Sequence, residues 1–165
     1  MGYYDDAFVT RFTSKPARRT PLINRGYFVR VQTLRKALED VVRALGDAGE
    51  GAGRIQIVSL GAGYDTTFFQ LLRDGTFDGH GIKYVEVDYP DLMLRKVKMI
   101  KHHELFEEVM AEKQCAMKIL LKDGTTMDRE VDDPASRLYL VGNDLRDLKA
   151  LDQVLKEQCG IDTSK

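Results

Sequence analysis

Hydrophobic positions follow a helical period in the first third of this chain. From residue 26 onward, apolar side chains recur at spacings of three and four, which predicts a helix with one apolar stripe: Tyr27, Val31, Leu34, Leu38, Val41 and Leu45. Gly46 and the Gly/Ala cluster at 49–53 end that helix in a flexible connection. Residues 1–24 show no clear period and are predicted to be irregular or short helix that ends near Pro21.

Short apolar runs then predict strands, at residues 54–60, 83–88 and 138–141. Helices are predicted between and after them, at 66–72, 92 to about 113 and 148–155. Residues 115–121 fit neither pattern, and 122–137 are predicted to be a polar loop. Strands that alternate with helices predict an α/β fold, in which helices cover both faces of a parallel sheet.

The first predicted strand indicates how complete this sheet is. Its nearly continuous apolar run, 55–60, is typical of a strand buried on both faces in the middle of a parallel sheet. In a doubly wound sheet that strand gains a second neighbour after the strand order reverses, and no further strand is predicted here. We therefore expect a Rossmann-like fold that stops after its third strand and helix. Residues 1–53 would form an N-terminal helical cap segment, and 54–165 the first half of a cofactor-binding domain.

Composition narrows the classes of function. The chain has 165 residues, 43% of them hydrophobic and 31% charged, which predicts one ordinary globular domain. Its 25 basic and 26 acidic residues give a net charge of -1, which argues against a general nucleic-acid binder. No apolar run approaches the ~20 residues of a membrane span, and the N-terminus lacks a signal-peptide pattern. Cys115 and Cys159 fit no metal spacing and no disulfide framework, so a reducing, cytoplasmic location and no bound metal are expected.

Glycines and acids follow the predicted strands at the ends where parallel strands meet. Gly61 and Gly63 lie between the first strand and the next helix, where the backbone approaches a ligand and helix N–H groups point outward. Asp88 ends the second strand, where a carboxylate can accept hydrogen bonds from both hydroxyls of a ribose, and Asp144 follows the third. We expect these residues to line one crevice that suits a nucleoside.

The type of nucleoside depends on a missing glycine. The third glycine of a dinucleotide fingerprint would fall at Thr66, which disfavours a nicotinamide-dependent oxidoreductase and favours a cofactor without phosphates. S-adenosylmethionine is the obvious candidate. Taken singly, each acid has a structural alternative: Asp65 and Asp144 could be helix caps, and Asp88 could simply end a strand.

Arg30 stands out among the basic residues. Between residues 7 and 38 every charged side chain is basic, which points to an anionic ligand or partner segment. On the helical period Arg30 lies beside the apolar stripe, three residues after Tyr27 and four before Leu34. A guanidinium in such a place needs an anionic or hydrogen-bonding partner, and an internal salt bridge or a bound ligand would serve equally well.

Four segments in this order resemble the leucine carboxyl methyltransferase family: NRGYFVR at 24–30, VSLGAGYDTTFF at 58–69, EVDYP at 86–90 and DLRDL at 144–148. Members of that family use S-adenosylmethionine to methylate the C-terminal leucine carboxylate of the catalytic subunit of the type-2A protein phosphatase. The resemblance implies a methyltransferase fold of the Rossmann type. No nucleic-acid or membrane partner is expected, because the net charge is near zero and no apolar run is long enough to span a membrane. Residues 65–67 look more like the phosphatase enzyme than its relative, the tRNA wybutosine-modifying carboxyl methyltransferase. That relative and a non-catalytic truncated product remain alternatives.

The resemblance also implies roles for single residues. Arg30 would be the catalytic residue, binding the carboxylate of the cofactor near the carboxylate of the substrate. Gly61 and Gly63 would pack under the cofactor, Asp88 would bind its ribose, and adenine would be held by Asp144 with Leu145. A cofactor-binding lysine upstream of residue 2 and a fourth strand beyond residue 165 would complete a family member, so the chain is expected to correspond to its N-terminal half.

Overall fold

A computed structural model describes residues 6–13, 20–47, 55–121, 126–132, 134 and 136–162. The helices are Val9–Phe12 (α1), Pro21–Asp47 (α2), Thr67–Arg73 (α3), Pro90–His102 (α4), Glu104–Glu112 (α5) and Leu148–Gln153 (α6), the last continued by a π-helical turn, Val154–Gln158. The strands are Ile55–Leu60 (β1), Ile82–Asp88 (β2), Cys115–Leu120 (β3), Thr126–Arg129 (β4) and Ser136–Gly142 (β5). They form one sheet in the order β1-β2-β5-β3-β4. The first four strands of that order are parallel, and β4 is antiparallel to β3. The predicted α/β fold of the Rossmann-like type is confirmed.

The alternation of side chains along β2 separates two cores, one on each face of the sheet. Tyr84 points into the larger core, which α3, α4 and α5 cover, whereas Val85 and Val87 point into the smaller core under α6 and the π-helical turn. Aromatic rings fill much of the larger core, with neighbouring ring centroids between 4.7 and 6.4 Å apart: Phe8, Phe12, Tyr64, Phe68, Phe69, Phe77, Tyr84 and Phe106. This packing holds α3 against β2, where the rings of Phe68 and Tyr84 lie 5.2 Å apart.

The prediction of three strands is wrong, because the described residues form five. β3 alternates buried and half-buried side chains along most of its length, but its Ala, Met, Lys and Leu residues favour helices, so its sequence indicated neither structure. β4 lies within the predicted polar loop and has only four residues. It is a strand because it pairs with β3, from Leu120 opposite Thr126 to Met117 opposite Arg129. Strand formation here depends on the neighbour more than on local preference.

β1 lies at an edge of the sheet rather than in its middle. Among the described strands it pairs with β2 alone, and Val58 and Leu60 are 37% and 57% exposed. The prediction that this strand is buried on both faces is therefore wrong. The expected open position beside it is present, and the apolar side chains on its outer face lack a covering helix within the described residues.

Two helix predictions also change. The single helix predicted from 92 to about 113 is broken at His103, whose backbone is extended at φ -115 and ψ 116, and α4 and α5 meet there. α2 begins at Pro21, a residue suited to the first helical position, rather than near residue 26. The predicted apolar stripe of α2 is divided by its packing on α3. Val31 and Leu38 are half-buried, whereas Tyr27, Leu34, Val41 and Leu45 are exposed.

Candidate functional site

The carboxyl ends of β1, β2 and β5 lie side by side. The parallel register places Leu60 beside Val87 and Asp88 beside Gly142. Just beyond the strands, the Gly61 N–H donates to the Val87 carbonyl at 2.8 Å, and the Asn143 N–H donates to the Asp88 carbonyl at 2.9 Å. Hydrogen bonds thus join the segments that hold Gly61, Asp88 and Asp144 side by side along one edge of the sheet, as the sequence predicts.

Two glycines shape the turn 61–65 after β1. Gly61 and Gly63 have φ of 71 and 52, in the left-handed region that glycine adopts without a steric penalty. The Gly63 N–H donates to Asp88 Oδ2 at 2.8 Å, and the Tyr89 N–H donates to Asp88 Oδ1 at 2.7 Å. A carboxylate oxygen has a second lone pair, so Asp88 keeps acceptor capacity for a ligand. A Cβ built on Gly61 would meet nothing within 4 Å, which leaves open space in front of the turn.

The structure shows which acidic residues contact the start of a helix, the alternative considered for Asp65 and Asp144. Asp65 Oδ1 accepts hydrogen bonds from the Thr67 N–H at 3.0 Å and the Thr67 hydroxyl at 2.7 Å. The N-cap residue of α3 is Thr66, so Asp65 is not the N-cap itself but binds the first N–H of the helix from one position before it. Asp147, and not Asp144, caps α6, since its carboxylate accepts from the Ala150 N–H at 3.1 Å. The interpretation of Asp144 as that cap is wrong.

Asp144 instead pairs with a surface arginine. Its Oδ1 accepts from Arg146 Nε at 3.0 Å, and its Oδ2 accepts from Arg146 Nη2 at 2.6 Å. The Arg146 side chain is 81% exposed, and an exposed pair of this kind stabilises a fold little. The neighbouring Leu145 is half-buried and packs against the smaller core. The Asp144 carboxylate, which follows β5, is therefore oriented by an exposed arginine.

Arg30 is exposed on α2. Within the part of the chain that the structure describes, no hydrogen bond or ion pair joins it to the three strand ends. The arginine of α2 that packs toward the core is Arg35, which pairs with Glu39 at 2.8 Å and also with Asp74 at the end of α3. The sequence signal for Arg35 was Glu39 four residues later on the same helical face.

Sequence reasoning missed a buried ion pair behind the glycine turn. Glu86, in the middle of β2, and Lys96 of α4 have fully buried side chains, and Lys96 Nζ lies 2.5 Å from Glu86 Oε2. Lys96 Nζ also donates to the Asp65 carbonyl at 2.7 Å. Burial raises the pKa of Glu86, and the positive charge of Lys96 opposes that rise. The signal in the sequence was a glutamate inside an apolar strand.

The histidines and the potential metal ligands among the described residues form no further candidate site. His102 and His103 contact each other at the α4–α5 break, with ring centroids 5.2 Å apart. None of the described His, Cys, Asp and Glu side chains gather in threes as a metal site would require. None of the described helices is both long and apolar enough to cross a membrane.

A parallel sheet whose strands alternate with helices, with a glycine turn at the carboxyl end of β1, defines the Rossmann-like class of α/β folds. Within that class the chain belongs to the leucine carboxyl methyltransferase family, whose model matches residues 3–165. The resemblance drawn from the four sequence segments is thereby confirmed.

The chain matches curated relatives that carry two different names. It is 32% identical to leucine carboxyl methyltransferase 1 of Rattus norvegicus, over 99% of this chain and 44% of the rat protein. For leucine carboxyl methyltransferase 1 of Caenorhabditis elegans the identity is 31%, over 93% of this chain and 43% of the relative. It is 33% identical to tRNA wybutosine-synthesizing protein 4 of Homo sapiens, over 93% of this chain and 21% of that protein. The chain therefore spans less than half the length of these relatives.

Proposed function

We propose that this chain is the cofactor-binding part of an S-adenosylmethionine-dependent carboxyl methyltransferase. Its substrate would be the C-terminal leucine carboxylate of the catalytic subunit of the type-2A protein phosphatase. The observation that carries the proposal is the meeting of Gly61, Asp88 and Asp144 at one sheet edge, in a chain that belongs to the leucine carboxyl methyltransferase family.

The residues at this edge fit the proposed cofactor. The open space in front of Gly61 admits a ligand close to the backbone, and Asp88 retains acceptor capacity for ribose hydroxyls. Asp144 and Leu145 would hold adenine, and Gly63 keeps Asp88 in place through its N–H. Arg30, whose side chain is exposed on α2, would bind the carboxylate of the cofactor and lie near that of the substrate. When bound, the cofactor supplies a methyl group on a positively charged sulfur.

The proposed reaction needs no general base. A C-terminal carboxylate has a pKa of about 3.3–3.7, so it is already an anion at neutral pH. The task of the protein is to align that anion with the methyl group and to remove water from it. Exposed apolar side chains lie at the ends of β1 and β2, where a substrate tail would cover them: Leu60 and Tyr89.

The proposal is tested by two matched alanine variants. Gly61 and Gly79 both have positive φ, 71 and 76, and a Cβ at either position would meet nothing within 4 Å. Gly61→Ala and Gly79→Ala should therefore both lose about 1–2 kcal/mol of stability to backbone strain. Only Gly61→Ala would place a methyl group in the cofactor space, so calorimetric titration should show at least tenfold weaker S-adenosylmethionine binding for that variant. Equal affinities for the two variants, or no binding by the unaltered chain, would contradict the proposal.

A second substrate is supported by the match to the human wybutosine protein, which covers 93% of this chain. Incubation with labelled S-adenosylmethionine, offering a peptide that ends in leucine against tRNA, separates the two. Label on the peptide supports the phosphatase substrate, and label on the tRNA supports the wybutosine relative. Capture of the phosphatase without methyl transfer would support a non-catalytic product.

A further inference from the structure

Three consecutive residues of β2 each hold a different part of the turn 61–65. The Val87 carbonyl accepts from the Gly61 N–H at 2.8 Å and the Ala62 N–H at 3.2 Å. Asp88 Oδ2 accepts from the Gly63 N–H at 2.8 Å. The third contact is indirect: Glu86 binds Lys96, which donates to the carbonyl of Asp65 at 2.7 Å. The start, the middle and the end of the turn are thus all fixed from one strand.

The Glu86–Lys96 pair is not expected to stabilise the fold more than apolar side chains of the same size would. Both charges are removed from water, and replacing such a pair with apolar side chains of similar volume is often neutral or stabilising. Within the described residues Glu86 Oε1 is buried without a hydrogen-bond partner, although buried polar atoms are normally satisfied. The pair does, however, direct an ammonium group at a backbone carbonyl, and an apolar side chain could not do this.

That carbonyl lies where the turn becomes a helix. The Asp65 N–H donates to the Ala62 carbonyl at 2.8 Å, and Asp65 Oδ1 accepts from the Thr67 N–H, the first N–H of α3, at 3.0 Å. Fixing Asp65 therefore fixes both the glycine turn and the direction in which the first N–H groups of α3 point.

We propose that Lys96 and Glu86 are positioning residues for the turn 61–65. Glu86 holds the Lys96 ammonium group on the Asp65 carbonyl, and this contact keeps the turn in the shape that binds the cofactor. The identity of the ligand rests on the proposed function, whereas the fixing of the turn does not.

The test replaces the pair with apolar residues, as Glu86→Leu combined with Lys96→Met. Its thermal unfolding should stay close to that of the unaltered chain, because no buried charge is left unpaired. Amide hydrogen exchange at residues 63–67, measured without ligand, should become roughly ten- to hundredfold faster, as expected for the loss of one charged hydrogen bond. The affinity for S-adenosylmethionine should fall by at least tenfold. Lys113→Met, which removes the pair between Lys113 and Asp78 at 2.8 Å, is the control and should change neither the exchange nor the affinity.

Each outcome decides between positioning and ordinary packing. A folded double variant with unchanged exchange and affinity would overturn the proposal, and so would faster exchange with unchanged affinity. If the double variant does not fold, Lys96→Gln is measured instead, because a shorter amide can bond to Glu86 without reaching the Asp65 carbonyl, and faster exchange at 63–67 is again expected. If the unaltered chain binds no S-adenosylmethionine, the proposed function fails, and the exchange rates alone decide whether the pair fixes the turn.

Discussion

Buried polar side chains surround the start of α3, and the carboxylate of Asp6 is among them. Its Oδ1 accepts from the Phe8 and Val9 N–H groups at 2.9 and 3.1 Å. Its Oδ2 accepts from the Thr66 hydroxyl at 2.5 Å and the Gln70 amide at 2.9 Å. One side chain thus joins the segment before α1 to the helix that follows the glycine turn.

Removal of the Asp6 carboxylate should be costly. In Asp6→Ala four donors lose this carboxylate, and of these Gln70 Nε2 keeps a second acceptor, Thr66 Oγ1 at 2.8 Å. Each buried donor without a partner costs about 1–3 kcal/mol, so we expect a loss of at least ~3 kcal/mol from the other three. Urea unfolding followed by circular dichroism measures it. Asp78→Ala is the control, because that side chain is 58% exposed and makes a surface pair with Lys113, and its loss should stay below about 1 kcal/mol. Similar losses in the two variants would show that the Asp6 network contributes little.

The buried pair also predicts a pH dependence for Lys96→Met. Burial raises the pKa of Glu86 and Lys96 lowers it, so removing Lys96 raises the folded-state pKa further above the unfolded value of about 4.3. Between those two values the folded state binds more protons than the unfolded state, and stability falls as pH rises, by up to about 1.4 kcal/mol per pH unit. Relative to the unaltered chain, this variant should be least destabilised near pH 4 and most destabilised near pH 8. Urea titrations across this range would contradict the assignment if the difference stayed constant.

Among the elements, those with a strong local pattern were predicted and those that depend on a neighbour were not. β1, β2 and β5 coincide with apolar runs, and the meeting of their ends follows from the geometry of any parallel sheet. β4 has no apolar pattern, and the break at His103 involves neither glycine nor proline, so both depend on tertiary contacts. The contact of Lys96 with Asp65 could not be predicted either, because it is a tertiary contact between residues 31 positions apart on different elements.

The exposed face and edge of β1 predict association between chains. An apolar edge strand with unpaired backbone groups is a template for further pairing. We expect light scattering to give a mass that rises with concentration above 18.7 kDa, and Val58→Lys with Leu60→Lys to bring it back toward that value. Leu148→Lys changes a side chain that is 70% exposed but lies outside the sheet edge, and it should leave the association unchanged. A single concentration-independent mass for the unaltered chain would contradict this expectation.

At the scale of the whole molecule, each core contains one cysteine. Cys115 is buried in the larger core and Cys159 in the smaller one, on opposite faces of the sheet. Burial raises the pKa of Cys115 to about 12 and that of Cys159 to about 11, so little thiolate is present at neutral pH.

Thiol alkylation therefore reports on whether the two faces unfold together. In the native chain both cysteines should resist iodoacetamide at pH 7.5, because they are inaccessible and protonated. In urea both should become reactive at the same midpoint if the sheet and its two cores unfold as one cooperative unit. Mass spectrometry of the alkylated peptides distinguishes the sites. Earlier labelling of Cys159 would show that the layer of α6 and the π-helical turn opens separately.

The strand order has a consequence for how the chain is made. β5 occupies the position between β2 and β3, although it follows both of them in the sequence. β2 and β3 therefore leave the ribosome before β5, the strand with which both of them pair. Asp144 follows β5 in the sequence, so it can join Gly61 and Asp88 at the crevice only after β5 has paired between β2 and β3.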